Sequence, residues 1–501
     1  LMDNHLNKIT IVGGGSAGWM TASTLIKAFP NKKITLIESP NTPTVGVGES
    51  TIGGIRNWTS FLEINDKQFL SSTDGSYKLS IKFTDFYKKG QSFHYPFGEL
   101  KQPIDDWWLC KIANPKLPNE TYASYNYEAM TQIEQKLMHY HLNFKNESAY
   151  HFDAKLFADW LKNKFCIPKG LEYIQEHIED IQQDEDGIKS LNGKHEADLY
   201  IDCTGFKSIL LGKTLGEPFE SYEDLLPNNS AWATRIEYKD KKKELVPYTN
   251  CTAYNNGWIW NIPLWNRIGT GYVYSDKFID DEMAYNEFRN YLGGDELEFN
   301  KIKFTPGIHR RLFVKNVCAI GLSAGFIEPL ESNGLYTVHQ FLINLVRNMQ
   351  RDKISQWDKD NFTFGCKKIF KTFSDFVALH YALSHRTDTE YWKSNFNKTW
   401  DERLYTLEPS LIFSLVNHAF LRDENFSHDT SGGAHCIAAG MDWKPNDINM
   451  IKLQHNVTEK DILIQMNQKL EEIKKRKERW IEECKEEGVS FLDFHKHNVY
   501  Y

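Results

Sequence analysis

The stretch Ile9 to Met20, ITIVGGGSAGWM, constrains the fold more than any other part of the chain, because it spells a β-strand, a glycine turn and the start of a helix in direct succession. Gly13, Gly15 and Gly18 fit G-x-G-x-x-G. The first glycine permits the tight turn, the second lets backbone approach a pyrophosphate, and the third lets the helix pack on the strand. Unpaired N–H groups at the helix start attract phosphates. Ile34 to Ile37 (ITLI) reads as a second buried strand, and Glu38 follows it at roughly 20 residues from the glycines, where a carboxylate can accept both ribose hydroxyls. Strand, turn, helix and acid together predict a dinucleotide site.

At 501 residues the chain is too long for one ordinary core, so about two or three modules are expected. Lys plus Arg number 59 against 67 Asp plus Glu, a formal net charge of -8, which disfavours a nucleic-acid-binding surface. Aromatics make up 14% of the chain, including 14 Trp, and suit pockets for flat ligands. Cys110, Cys166, Cys203, Cys251, Cys318, Cys366, Cys436 and Cys484 lie far apart with no C-x-x-C pair, so no metal site is expected and reduced, cytoplasmic thiols are. Leu1, ahead of Met2, is set aside. No charged-then-apolar leader precedes the first strand, and no apolar run approaches the 18 or so residues that cross a bilayer, so no membrane association is expected.

After Glu38 a turn-rich segment ends in Val45 to Thr51 (VGVGEST), whose glycines again allow close approach of a ligand. Tyr77 to Phe83 (YKLSIKF) alternates strictly and reads as one half-buried strand; periodicity alone puts Lys78 and Lys82 on its solvated face. Pro96 to Asn146 is aromatic and irregular, with a helical stretch near Glu128 to His141, and reads as an insertion. Alternation resumes with a helix at Ala154 to Phe165 and strands around Glu172 to Asp180 and Ile188 to Leu191. Asp198 to Phe206 (DLYIDCTGF) runs a strand into a glycine, and so does Val317 to Gly325 (VCAIGLSAG). Three such strand-to-glycine passages suit a long two-part cofactor such as FAD. Further strands are expected at Trp232 to Tyr238, Trp258 to Ile262 and Gly269 to Tyr274. From Gly334 a helix is signalled by Leu335, Val338, Phe341, Leu342, Leu345, Val346 and Met349. Thr458 with Asp461 makes a capping box for a last long helix to about Glu483, whose interleaved lysines and glutamates read as a solvated face.

Trp258 to Pro263, WIWNIP, places two tryptophans on one face of a strand that Pro263 ends. It matches W-x-W-x-I-P, a signature of flavin-dependent halogenases. GGGSAGWM, VGVGEST, YKLSIKF, DLYIDCTGFKSIL, FIEPLESNGLY and HYALSHRTDTEYW occur in the order and rough spacing of that family. Residues 8 to 395 therefore resemble the tryptophan-halogenase-like proteins, and the C-terminal part does so loosely. The resemblance implies an enzyme with a glutathione-reductase-like, Rossmann-type α/β FAD-binding module (residues 1–95 and 151–352), a substrate-module insertion (96–150) and a mostly helical C-terminal substrate module (353–501). It implies a separate NAD(P)H-dependent flavin reductase that delivers FADH2, with O2 and a halide ion giving an enclosed hypohalous acid that attacks a small, electron-rich aromatic substrate. A homo-oligomer is compatible with it.

By the same resemblance Lys78 meets the oxidant, with Lys82 as second choice, and Glu331 positions the oxidant or removes the ring proton. An amine that holds electrophilic halogen needs a closed pocket, where desolvation lowers its pKa and excludes water. Asn333 and Gly334 match the halide-binding amides at a helix start, which suits anions. Trp258 and Trp260 match the residues that keep substrate from the flavin. The cofactor set is Gly13, Gly15, Ser16, Ala17, Gly18, Glu38, Gly48, Glu49, Ser50, Ile178, Gly321, Ser332 and Leu335. The substrate pocket is Tyr95, Pro96 and Phe97, where tryptophan-specific members carry a histidine in place of Tyr95. Their amino-acid clamp has no clear match; Asp429 to Trp443 (DTSGGAHCIAAGMDW) stands there instead and reads as a mobile glycine-rich loop around a wide site. That favours indole, a phenol or a larger carried substrate over free tryptophan. The alternatives are a flavin monooxygenase that hydroxylates an aromatic ring and a non-catalytic flavoprotein.

Overall fold

β-Branched residues and a core-facing isoleucine pair make Lys8–Val12 a strand, and it lies in the middle of a six-stranded sheet. In the computed structural model, which describes residues 6–40, 49–99, 102, 104–139, 141–294, 297–351, 353–398, 400, 428–444, 449, 452–453 and 456–501, this strand pairs in parallel with Lys33–Glu38 on one side and Leu199–Asp202 on the other. Glu172–Gln175 and Val317–Ala319 extend the parallel order outwards, and Phe313–Val314 closes one edge antiparallel. The near-continuous burial of Ile9, Ile11, Leu36, Tyr200, Ile201 and Cys318 is what a sheet covered on both faces requires. The helix Ser16–Ala28 covers one part of it; its Gly18 has no room for a side chain, because a Cβ would stand 1.9 Å from the Gly13 carbonyl oxygen.

A second sheet of seven strands runs in the order Asn300–Lys303, Ser230–Ile236, Ile268–Tyr274, Gly257–Pro263, Tyr248–Tyr254, Ser80–Thr84 and Ser92–Pro96. All its pairings are antiparallel except Tyr248–Tyr254 with Ser80–Thr84. A small sheet joins Glu49–Ser50, Ala149–Phe152 and Ser76–Lys78. The alternation of Tyr77 to Phe83 thus hides a break. Ser76–Lys78 belongs to the small sheet and Ser80–Thr84 to the large one, with Leu79 bridging them by donating its N–H to Pro247 and accepting from Phe97. This corrects the expectation of a single strand with both lysines in solvent: Lys78 is fully buried, while Lys82 lies partly exposed.

The helix Gly334–Asn348 buries the apolar stripe expected of it, and the long helix Gln356–Ala382, capped by Ser355 and Asp358, lies against it. The Thr458–Asp461 capping box forms, and Asn467–Glu487 is the long charged helix. Two segments differ from expectation. The helix at Glu128 stops at Gln135, where Lys136 turns left-handed, and Leu137–Met138 pairs with Val489–Ser490. His428–Gly440 is a helix and not a mobile loop, for reasons given below.

Candidate active site

At the carboxyl ends of the parallel strands the three strand-to-glycine passages converge. Gly13, at φ +113°, sits against the Cys203 carbonyl and hydrogen-bonds Ile37, while the space beside Gly15 is open. Gly321, at φ +77°, packs on the Ala17 methyl, where a Cβ would stand 2.6 Å away. Glu38 folds over the turn, with Oε2 accepting from the Tyr173 hydroxyl at 2.8 Å. Ser16 Oγ reaches Glu49 at 3.5 Å, and burial pushes the Glu49 carboxyl up to about 7. Ile178 is half-buried beyond the strand Glu172–Gln175, and Gly48 lies outside the described residues. An open glycine cradle at a helix start, with an acid at the next strand end, fits the pyrophosphate and ribose of FAD.

Lys78 stands at the other end of this array. Its Nζ donates to the Thr51 carbonyl at 2.7 Å and to Ser332 Oγ at 2.9 Å, and the Phe97 ring centroid is 5.2 Å away. Ser332 Oγ in turn donates to Ser50 Oγ at 3.0 Å, so one of the cofactor candidates adjoins the lysine directly and a second is linked to it through that hydroxyl. Ser332 holds φ +55°, a left-handed conformation that costs a non-glycine residue energy and often marks working sites. Among the described residues no carboxylate pairs with the ammonium. Burial therefore dominates and drives the Lys78 pKa down to about 7, against weaker opposing influence from Cys251 and Glu331. Lys82 has no part in this cluster; it faces His94 and lies 6.0 Å from the Tyr248 ring.

Glu331 ends the short turn Pro329–Glu331 and is fully buried, its pKa raised by that burial. His380 Nε2 lies 2.7 Å from its Oε1. Asn333 caps the following helix without a side-chain bond to it, and Gly334 opens onto free space. Leu335, next in that helix, is buried. Amides at a helix start beside open space suit a halide.

Trp258 is fully buried and donates from Nε1 to Glu328 Oε2 at 2.8 Å. The same oxygen accepts from Asn228 at 2.7 Å and Tyr381 at 3.1 Å, and Tyr391 donates to Asn228 Oδ1 at 3.0 Å. WIWNIP, FIEPLESNGLY and HYALSHRTDTEYW thus meet in one buried cluster. Sequence reasoning missed Glu328 and His380. The available signal was the pairing of two acids around Pro329 with a histidine and two tyrosines in the later motif. Trp260 occupies the gap left by Gly271, where a Cβ would stand 2.0 Å from the indole.

Tyr95 and Pro96 end an edge strand, Ser92–Pro96, with Phe97 just beyond it, and the helix His428–Gly440 lies across it. A Cβ on Gly433 would stand 2.6 Å from Phe376 and 2.8 Å from Tyr95, and one on Gly440 would stand 2.2 Å from Phe93. The small residues therefore bring a helix into contact with the pocket strand and do not leave it open. An open cavity of about 630 Å³ lies elsewhere, lined by Phe206, Phe304, Phe326, Lys207 and Lys303 among others, and includes neither Lys78 nor Glu331. Among the described residues no helix is long and apolar enough to cross a membrane, and no group of three His, Cys, Asp or Glu could hold a metal.

Comparison with known proteins places this geometry. The tryptophan halogenase family model matches residues 8–451. Tryptophan 7-halogenase RebH of Lentzea aerocolonigenes is 34% identical over 421 residues, 79% of this chain and 79% of its own length. The apo structure of VirX1 superimposes with a TM-score of 0.89 at 35% identity, over 99% of this chain and 100% of that one. Xcc4156, a flavin-dependent halogenase from Xanthomonas campestris, gives 0.85 at 26% identity, over 99% and 98%. With a family model spanning most of its length and relatives matched across both halves, the chain belongs to the tryptophan halogenase family.

Proposed function

We propose that Lys78 receives the oxidant and Glu331 the ring proton in the FADH2-dependent halogenation that this family carries out on aromatic rings with a separate flavin reductase. Bound reduced FAD supplies, with O2 and halide, the hypohalous oxidant. Gly13, Gly15 and Gly18, with Ser16 and Ala17, hold the pyrophosphate, and Glu38 takes the ribose hydroxyls. Gly321 and Ser332 border the flavin, and the amides of Asn333 and Gly334 hold the halide. The supporting observation is the buried amine itself. With its pKa pushed down to about 7 by burial and, among the described residues, no ion-pair partner, Lys78 gives up its proton near physiological pH, as an amine must to bind electrophilic halogen. Trp258, fixed by Glu328, stands with Trp260 between flavin and substrate. The fold reading that goes with this is a glutathione-reductase-like, Rossmann-type FAD module at residues 1–95 and 151–352, an insertion at 96–150 and a helical substrate module beyond 353. The central parallel sheet supports it. A cytoplasmic setting agrees with eight free thiols.

Tyr95 in the pocket strand supports a bare indole or phenol, or a larger carried ring, over free tryptophan. RebH is by name a tryptophan 7-halogenase, so tryptophan belongs in the test. Enzyme, reductase, FAD and NADH are incubated with each halide and a panel of tryptophan, indole and phenols, and products are read by mass spectrometry. Halogenated indole or phenol forming faster than halotryptophan is the expected result. Faster, single-site turnover of tryptophan would overturn the substrate assignment.

A further inference from the structure

His380 sits near the end of the helix Gln356–Ala382 and is as fully buried as the carboxyl group it meets. Its Nδ1 lies 3.0 Å from the Phe376 carbonyl and 3.2 Å from that of Val377. A carbonyl only accepts, so Nδ1 carries the hydrogen and a neutral ring presents a bare lone pair at Nε2. That lone pair is 2.7 Å from Glu331 Oε1. Two lone pairs at that distance between fully buried groups repel, so the pair must hold one proton between them, either as carboxylic acid and imidazole or as carboxylate and imidazolium.

The rest of the setting isolates this proton. Phe83, Phe86 and Phe376 pack around the ring, with centroids at 4.7, 6.1 and 5.6 Å. The other charged groups that act on the pair are Lys78, from the small sheet, and Glu328, whose Oε2 is already taken by Asn228, Trp258 and Tyr381. The Nε2–Oε1 approach is off the axis of a well-formed hydrogen bond, and among the described residues Oε2 of Glu331 has no hydrogen-bond partner. One oxygen therefore faces the imidazole at close range, and the other is buried and turned away from it.

We infer that His380 is the positioning residue of Glu331: it keeps the shared proton on the Oε1 side so that Oε2 alone accepts the proton lost by the halogenated ring. This rests on the reading of Glu331 as the base. When the ring C–H bond breaks, its electron pair returns to the aromatic system and its proton goes to Oε2. The shared proton moves from Oε1 to Nε2, leaving a neutral carboxylic acid beside an imidazolium. Glu331 thereby gains a proton without ever carrying two, and the positive charge of the arenium passes to His380.

The test is single turnover with an aromatic substrate carrying deuterium at the halogenated carbon, in wild type, His380→Gln and His380→Asn. Glutamine places an amide near Nε2 that cannot take up a proton, and asparagine places one near Nδ1. Both variants should form product at least about tenfold more slowly, the low end of what a general base contributes, and a primary isotope effect should appear that wild type lacks. KM, FAD affinity and peroxide release should not change. In the cofactor-free enzyme, ¹⁵N NMR of labelled histidine should find His380 protonated at Nδ1. Wild-type rates in both variants, or slowing without an isotope effect, would overturn the assignment. Glu331→Gln is run alongside: if it loses product while the His380 variants do not, only this inference fails, and if it keeps full activity the underlying reading fails as well.

Discussion

Replacing Lys78 with methionine should inactivate the enzyme and stabilise it at neutral pH. In the folded protein the amine titrates near 7, against 10.5 for an exposed lysine. At roughly 1.4 kcal/mol per pH unit, burying the ammonium costs about 5 kcal/mol. Below pH 7 both folded and unfolded chains are protonated and the full cost applies. As pH rises from 7 to 10.5 the unfolded chain holds more protons, so the cost shrinks to nothing. Methionine, of similar length, removes this cost but leaves Thr51 O and Ser332 Oγ without their donor, a loss of roughly 3 kcal/mol for two buried acceptors. Lys78→Met should therefore be the more stable protein by about 2 kcal/mol at pH 7 and the less stable by about 3 kcal/mol near pH 10.5. Urea unfolding of both proteins across pH 6.5 to 10 measures the crossing. Parallel pH profiles would mean that the ammonium is compensated in the folded state, and the argument from desolvation would fall.

Two further substitutions probe the frame around the site. Glu328→Ala removes the common acceptor of Trp258, Asn228 and Tyr381, so it should cost roughly 3 kcal/mol or more, and Trp258→Phe, which deletes one of those donors, about 1 to 2; denaturant midpoints give both. Gly433→Leu puts a side chain where even a Cβ meets Tyr95 and Phe376 within 3 Å; it should lower the melting temperature and raise KM for the aromatic substrate, and an unchanged KM would separate this helix from the substrate pocket.

The sequence was most informative where one short segment carries the whole constraint. Strand, glycine turn and helix at Ile9 to Met20 are set by local sterics, and the structure forms them there. The helix from Gly334 and the Thr458 cap were legible for the same reason. Alternation failed at Tyr77 to Phe83, because periodicity does not register a strand that leaves one sheet for another at Leu79, and so Lys78 reads as solvated when it is the most deeply buried lysine of the site. Composition failed at Asp429 to Trp443: glycines and alanines resemble a loop, but their small size serves close helix packing against Tyr95, Phe376 and Phe93. Glu328 and His380 were invisible for a different reason. Their partners lie 70 and 49 residues away in sequence, and only tertiary structure makes an orphan acid and an orphan histidine into a cluster.

The central claim, that oxidant made at the flavin is used at Lys78, is tested most directly by Lys78→Ala beside Lys82→Ala, both supplied with reductase, FAD, NADH and bromide. Lys78→Ala should bind FAD and release peroxide as wild type does and give no halogenated product, while Lys82→Ala should give nearly wild-type amounts. Retention of most halogenation by Lys78→Ala, or its loss in Lys82→Ala alone, would contradict the account, and hydroxylated product from wild type without halide would assign the enzyme to oxygen transfer.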